Sequence, residues 1–179
     1  MKILVVSDSH GLTAELHQIK EKHAMETDLM IHCGDSELPA ADHSLAGFSV
    51  VRGNCDFEGE FSEDLVLKEE GLNVFVTHGH RYAVKSTLMN LSYRAKELNA
   101  DIVCFGHSHY LGAEMIDNIL YVNPGSIRLP RGRTEKTYVI LDVGNGGIIL
   151  RVYDLNQGEI GEMTQEFSLP KYEGTEYTN

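Results

Sequence analysis

Residues 2–7 form a short apolar run rich in β-branched side chains that ends in Asp8-Ser9-His10-Gly11, as a buried strand running into a polar turn would. Behind it Leu12, Leu16, Ile19 and His23 recur at spacings of 4, 3 and 4, one face of a helix with the polar positions opposite. Strands are predicted at 28–32 and 48–52, separated by a loop around Pro39 with room for one helical turn, so the chain opens β-α-β. Apolar segments 65–68 and 72–77 flank Glu69-Glu70-Gly71, a hairpin turning at the glycine. Leu88, Leu91, Ala95 and Leu98, at spacings of 3, 4 and 3, predict a second amphipathic helix over 86–99, with a strand at 102–105 after it. From residue 112 onward the pattern is β: strands at 113–116, 119–122, 137–143 and 148–153, with Asp117-Asn118 and Gly144-Asn145-Gly146-Gly147 as turns. Residues 162–169 could add an edge strand, and the polar residues 170–179 are expected to fray. With helices confined to the first two thirds and no repeat or linker, the expected architecture is one α/β domain over 1–179, a sandwich of two sheets with helices on the outer faces.

Composition narrows the partners. At 179 residues, 42% hydrophobic and 23% charged, the chain can bury a core, and disorder is excluded as its general state. A net charge of −12 argues against coating long nucleic acid or an anionic membrane, whose binders rely on clustered Lys and Arg. The apolar run near Met1 is far short of the roughly 20 residues that span a bilayer, so a cytoplasmic location is expected. Three cysteines without a CxxC do not form a disulfide framework; Cys33 and Cys104, within apolar strands, read as small buried hydrophobes. His17 and His23 read as surface or boundary residues of the first helix.

The chemistry lies in five polar clusters at the ends of apolar runs: Asp8-Ser9-His10, Gly34-Asp35, Gly53-Asn54-Cys55-Asp56, His78-Gly79-His80 and Gly106-His107-Ser108-His109. A Gly-Asp pair after a strand is ordinarily a turn, and Asp8-Ser9 could cap a helix. If 107–109 is extended, His107 and His109 face the same way. Four of the clusters directly follow predicted strands, and in open α/β sheets ligands bind beyond the carboxyl ends of strands, so the five together point to one convergent site. Imidazole with carboxylate suits divalent Mn, Fe, Zn or Ni.

The ordered series Asp-x-His, Gly-Asp, Gly-Asn, His and Gly-His-x-His resembles the calcineurin-like metallophosphoesterase superfamily over essentially the whole chain. The Gly-Asn-Cys-Asp form and Asn123-Pro124-Gly125-Ser126 resemble its small bacterial and archaeal phosphodiesterase branch, which is also related to a retromer scaffold subunit. The resemblance implies a four-layer αββα sandwich of two mixed sheets flanked by helices. It implies Asp8, His10, Asp35 and His109 on one divalent ion and Asp35, Asn54, His78 and His107 on a second, with Asp35 shared, and hydrolysis of small phosphodiesters by a metal-bridging hydroxide. Mn²⁺ is the expected ion, with Ni²⁺, Zn²⁺ or Fe as alternatives, and a homo-oligomer is compatible with the sequence. The alternative function is a catalytically weak interaction scaffold of the same fold; seven competent ligands favour the enzyme, because a scaffold has no need of so many polar groups at one place.

The histidine that commonly follows Gly-Asn in the wider superfamily, and serves there as general acid, is Cys55 here. His80 and Asp56 are the candidate replacements, with a supporting or turn role favoured over proton donation for Asp56. Segment 128–136 carries four cations against one acid, so Arg128, with Arg52 and Arg81 beside metal motifs, is a candidate phosphate contact. Replacing Cys55 by His is expected to raise phosphomonoester hydrolysis; an unchanged monoester rate at unchanged metal content would count against the missing acid.

Overall fold

The computed structural model describes residues 1–57, 59–144 and 146–169; the tail expected to fray lies outside them. Among these residues twelve strands form two sheets. In the first, β1 (Lys2–Val6), β2 (Leu29–His32) and β3 (Phe48–Val50) run parallel, and β9 (Thr137–Gly144) pairs antiparallel with β1. β10 (Gly147–Asp154) follows β9 and carries the short β11 (Gly158–Glu159) and β12 (Gln165–Ser168) on its free edge. In the second, β5 (Leu72–Thr77), β6 (Ile102–Cys104) and β8 (Ile119–Pro124) run parallel, flanked antiparallel by β4 (Asp64–Glu69) and β7 (Leu111–Ile116). Helix α1 (Thr13–His23) connects β1 to β2, and α2 (Met89–Glu97) connects β5 to β6.

Strand alternation explains the four layers. Ile3 and Val5 of β1 face Val74, Ile102, Leu120 and their neighbours from the other sheet in one central core, while Leu4 and Val6 turn outward to Leu16 and Ile19 of α1. On the far side Phe75, Val103 and Tyr121 pack against Leu91 and Ala95 of α2. This is the expected αββα sandwich of mixed sheets. Cys33 and Cys104 are fully buried, and burial pushes the Cys104 thiol up to about 12.

Several boundaries differ. The second helix begins at Met89, not 86, because Ala83 sits in the left-handed region (φ 55°) and the amides of Ser86 and Thr87 both close onto its carbonyl as a turn. It stops before Asn99, whose φ of 50° closes a Schellman-type end: its amide donates to Lys96 and that of Ala100 to Ala95. The edge strand shrinks to Gln165–Ser168 because Gly161–Met163 is a 3₁₀ turn. His23 is also corrected: it is 2% exposed, its Nε2 is 2.9 Å from the Tyr138 hydroxyl and its Nδ1 is 2.6 Å from Glu26. A histidine on the inward stripe of α1 is tolerated because both ring nitrogens are satisfied. Among the described residues no helix is long and apolar enough to cross a membrane.

Leu120 lies wholly within the central core. Leu120→Ala is expected to lower unfolding free energy by about 2–5 kcal/mol in urea titration, whereas Met25→Ala, at a side chain 99% exposed, should change it by less than about 0.5 kcal/mol.

Candidate metal centre

Because β1, β2, β3, β5, β6 and β8 all run parallel within their sheets, the loops that follow them open at the carboxyl edges of the sheets. The β1 and β2 loops are laced together, with Asp8, His10 and Gly11 amides donating to the carbonyls of Gly34, Asp35 and Ser36. The Gly106 amide binds the His78 carbonyl, tying the two loops of the second sheet. Asp8, His10, Asp35, His107 and His109 all have φ between 43° and 66°. Asp and His tolerate that left-handed region better than most residues, yet each such residue costs of order 1–3 kcal/mol, a strain found where a site demands it. His107 and His109 are therefore not on a strand, and they separate: the His107 ring lies 5.1 Å from that of His78, the His109 ring 5.3 Å from that of His10.

At the centre is the Asp8 carboxylate, fully buried. Its Oδ2 accepts from the Ser7 hydroxyl at 2.6 Å and the His107 amide at 3.2 Å. Its Oδ1 has no hydrogen-bond partner among the described residues and faces three imidazole nitrogens: His109 Nε2 at 3.1 Å, His10 Nε2 at 4.0 Å and His78 Nε2 at 4.0 Å. Those rings are oriented from behind. His10 Nδ1–H donates to Glu37 (2.6 Å), His78 Nδ1–H to the Cys33 carbonyl (2.7 Å) and His109 Nδ1–H to the Leu129 carbonyl (2.7 Å). With the proton on Nδ1, every neutral ring aims an Nε2 lone pair inward. His10 and His109 Nε2 atoms stand 3.4 Å apart, where two lone pairs repel unless a positive charge lies between them.

Asp35, 2% exposed, places Oδ2 3.3 Å from His78 Nε2 and accepts the Cys55 amide on Oδ1 at 2.8 Å. Burial would raise its carboxyl, but the close approach of His78 and the Cys55 amide outweigh that and hold it well below the ordinary range. Burial would likewise lower His78, and the two carboxylates raise it instead. The Asp8 carboxylate, 3.1 Å from its Nε2, raises His109. In the metal-free chain, protons are drawn to the nitrogens a cation would otherwise face. Among the described residues three sets of donor atoms lie close enough to hold an ion: Asp8, His10 and His109; Asp8, Asp35 and His78; and His10, Asp35 and Cys55. Orphaned Asp8 Oδ1 and His78 Nε2, together with this donor set, fit divalent cations of the borderline class.

Other expected residues lie farther out. His107 adjoins His78 and is lowered to about 4 by burial and by the charges of His78 and Lys85. Asn54, exposed at the rim, turns its amide to the Cys55 sulfur at 3.3 Å. Burial and Asp35 push the Cys55 thiol up to about 11, so it is neutral. Asp56 is corrected as an acid candidate: its carboxylate accepts from the Asp35, Glu37 and Gly53 amides and the Ser36 hydroxyl, which makes it the anchor of the loop holding Asp35. His80 is held neutral by burial and by His78, opposite to the charged state expected of a proton donor. Arg52 and Arg81 both reach Glu63, at 2.8 and 3.9 Å, which also lies 3.7 Å from His80. Arg128 is at the rim, its guanidinium bound to the His10 carbonyl.

Sequence reasoning missed Glu37 and Glu63, and underused Asn123 and Ser126. The Asn123 amide fixes the Gly106 carbonyl and Ser108 hydroxyl, and the Ser126 hydroxyl donates to the Asp8 carbonyl at 2.8 Å.

The calcineurin-like phosphoesterase superfamily domain matches residues 1–146. The probable metallophosphoesterase YsnB of Bacillus subtilis (strain 168) is 48% identical over 169 residues, 94% of this chain and 100% of that protein. Phosphodiesterase YfcE of Escherichia coli (strain K12) is 26% identical over 188 residues, covering 89% and 95%. The crystal structure of a conserved uncharacterized protein of Streptococcus pneumoniae TIGR4, described as a predicted phosphoesterase, is 32% identical with a TM-score of 0.89, covering 93% of this chain and 97% of that one. Fold and donor cluster together define a metallophosphoesterase. The chain belongs to the calcineurin-like phosphoesterase superfamily.

Two glycines set how closely the loops approach. A Cβ on Gly53 would fall on the Asp35 carboxylate and amide, and one on Gly106 on the Ser7 hydroxyl, with Asp8 Oδ2 at 2.8 Å. Gly53→Ala and Gly106→Ala are each expected to weaken Mn²⁺ binding by about tenfold or more in calorimetry, while Gly161→Ala, where a Cβ meets nothing, should bind as wild type. Wild-type affinity in both site variants would contradict the geometry.

Proposed function

We propose that this chain hydrolyses small phosphodiesters with two divalent cations, Mn²⁺ in the first instance, held by Asp8, His10, Asp35, Asn54, His78, His107 and His109. One observation carries this reading: three rings pinned at Nδ1 converge their Nε2 atoms on the buried, unpartnered Oδ1 of Asp8. What such cations supply when bound is Lewis acidity, which activates water near neutral pH and offsets charge on the phosphate oxygens. Asp35 serves as the shared carboxylate, since it lies in one donor set with His78 and Asp8 and in another with His10.

The protein's own groups then decide what is hydrolysed. Arg128, exposed at the rim beside His10, offers a guanidinium to a non-bridging phosphate oxygen. Arg52 and Arg81 are partly neutralised by Glu63 and contribute less. Of the candidate proton donors among the described residues, the Cys55 thiol is pushed up to about 11 and His80 is lowered by burial and by His78, so neither is a strong acid beside the cluster. A leaving group must depart largely unprotonated, so acidic, phenolic esters are preferred over alkyl ones. The relative named a phosphodiesterase supports the diester reading.

The test is metal analysis of the purified protein with hydrolysis of an aryl phosphodiester across added Mn²⁺, Ni²⁺ and Zn²⁺. Two ions per chain at saturation are expected, with a loss of about 100-fold or more in kcat for Asp35→Asn. Fewer than two ions, or activity that survives the Asp35 change, would overturn the reading.

A further inference from the structure

The loop that follows β3 brings a sulfur to the donor cluster as well as Asn54. The Cys55 amide donates to Asp35 Oδ1 at 2.8 Å, which sets the residue against the carboxylate that two ions would share. Its side chain is then in reach: Cys55 Sγ, a ring nitrogen of His10 and a carboxylate oxygen of Asp35 all lie within 4.8 Å of one another. His10 and Asp35 belong, with Asp8 and His109, to one half of the centre, so the sulfur joins an ion already called for there. That call does not depend on the cysteine. The Asp8 carboxylate is fully buried, and its Oδ1, without a hydrogen-bond partner among the described residues, lies 3.1 Å from His109 Nε2 and 4.0 Å from His10 Nε2.

Asn54 supports the sulfur. Its side-chain N–H donates to Cys55 Sγ at 3.3 Å. An amide side chain carries a carbonyl oxygen and two N–H donors, so Asn54 can give its oxygen to the second ion while an N–H holds the sulfur of the first. Hydrogen bonds to a metal-bound sulfur tune the ion it serves. The other two cysteines are differently placed: Cys33 and Cys104 are buried in the central apolar core, and neither joins a donor set among the described residues, whereas Cys55 is exposed at the cluster.

We propose that Cys55 is a thiolate ligand of the ion held by Asp8, His10, Asp35 and His109, and that it gives this half of the centre a preference for thiophilic ions such as Zn²⁺ or Co²⁺ over Mn²⁺. The S–H proton passes to solvent as the sulfur–metal bond forms, with no change of oxidation state. The other half, built from Asp35, Asn54, His78 and His107, offers only oxygen and nitrogen, so the two halves differ in the ion they favour. The inference rests on the two-ion reading for its cation and adds a ligand to it.

The ligand can be tested without turnover. Co²⁺ is titrated into the metal-free full chain and followed by absorption, with Cys55→Ser and Cys55→Ala alongside. Wild type is expected to develop visible ligand-field bands together with a thiolate-to-cobalt charge-transfer band in the near ultraviolet. Both variants should keep the ligand-field bands, which report a folded and loaded site, and lose the charge-transfer band. In competition titrations they should lose about tenfold or more in Zn²⁺ affinity and stay within about twofold of wild type for Mn²⁺. X-ray absorption of the Zn²⁺-loaded wild type, which needs no variant, should show one sulfur ligand per chain. Ligand-field bands in wild type without the charge-transfer band, a charge-transfer band that survives in both variants, or zinc without a sulfur neighbour overturns the thiolate ligand and leaves the two-ion reading standing. Wild type that binds neither Co²⁺ nor Zn²⁺ overturns both.

Discussion

Everything at this site depends on the unequal treatment of the two oxygens of Asp8. One is satisfied by Ser7 and the His107 amide; the other is buried, unpartnered and surrounded by imidazole nitrogens. An uncompensated anion in a protein interior is costly, and a second carboxylate, Asp35, is 2% exposed in the same cluster. The two carboxylates favour the protonated forms of His78 and His109, both of which are raised. Divalent cations would compensate both carboxylates at once while leaving the rings neutral. The net charge of −12 thus says little about the one place a phosphate would approach.

The fold exists to deliver these groups to one edge. Parallel strands in both sheets end on loops with local strain, and the strain is held by hydrogen bonds from residues that touch no ligand position's functional atoms. Asp56 gathers three amides around Asp35, Ser126 holds the Asp8 carbonyl, and Asn123 holds the loop of His107 and His109. Those bonds keep left-handed Asp and His residues in place, and glycines at 53 and 106 let backbone pass where a methyl would displace a carboxylate.

Most of the architecture is legible from alternation and helical spacing. Ile3 and Val5 against Leu4 and Val6 already encode a strand buried on both faces, and the αββα layering follows once α1 and α2 cover the outer sides. The clusters after strands were equally plain. What periodicity could not convey is backbone hand: Ala83 and Asn99 trimmed a helix that the leucine spacing extended, and φ values at His107 and His109 split a pair that alternation would have kept together. Long-range hydrogen bonds and ion pairs were also invisible, because nothing local marks Glu37 as the partner of His10, Glu63 as the shared counter-charge of two arginines, or Asp56 as a backbone anchor. His23 was misplaced because a paired buried histidine and an exposed one look alike in sequence.

The central claim is that His10, His78 and His109 keep their protons on Nδ1 and offer Nε2 to a cation. Long-range ¹H–¹⁵N correlation spectra of the histidine side chains, recorded while Zn²⁺ is added to the metal-free protein, address it directly. The account predicts that Nδ1 of all three rings stays protonated and that Nε2 of all three moves to the shift of a coordinated nitrogen. Loss of the Nδ1 proton in any of them on binding, or Nε2 resonances indifferent to saturating Zn²⁺, would contradict it.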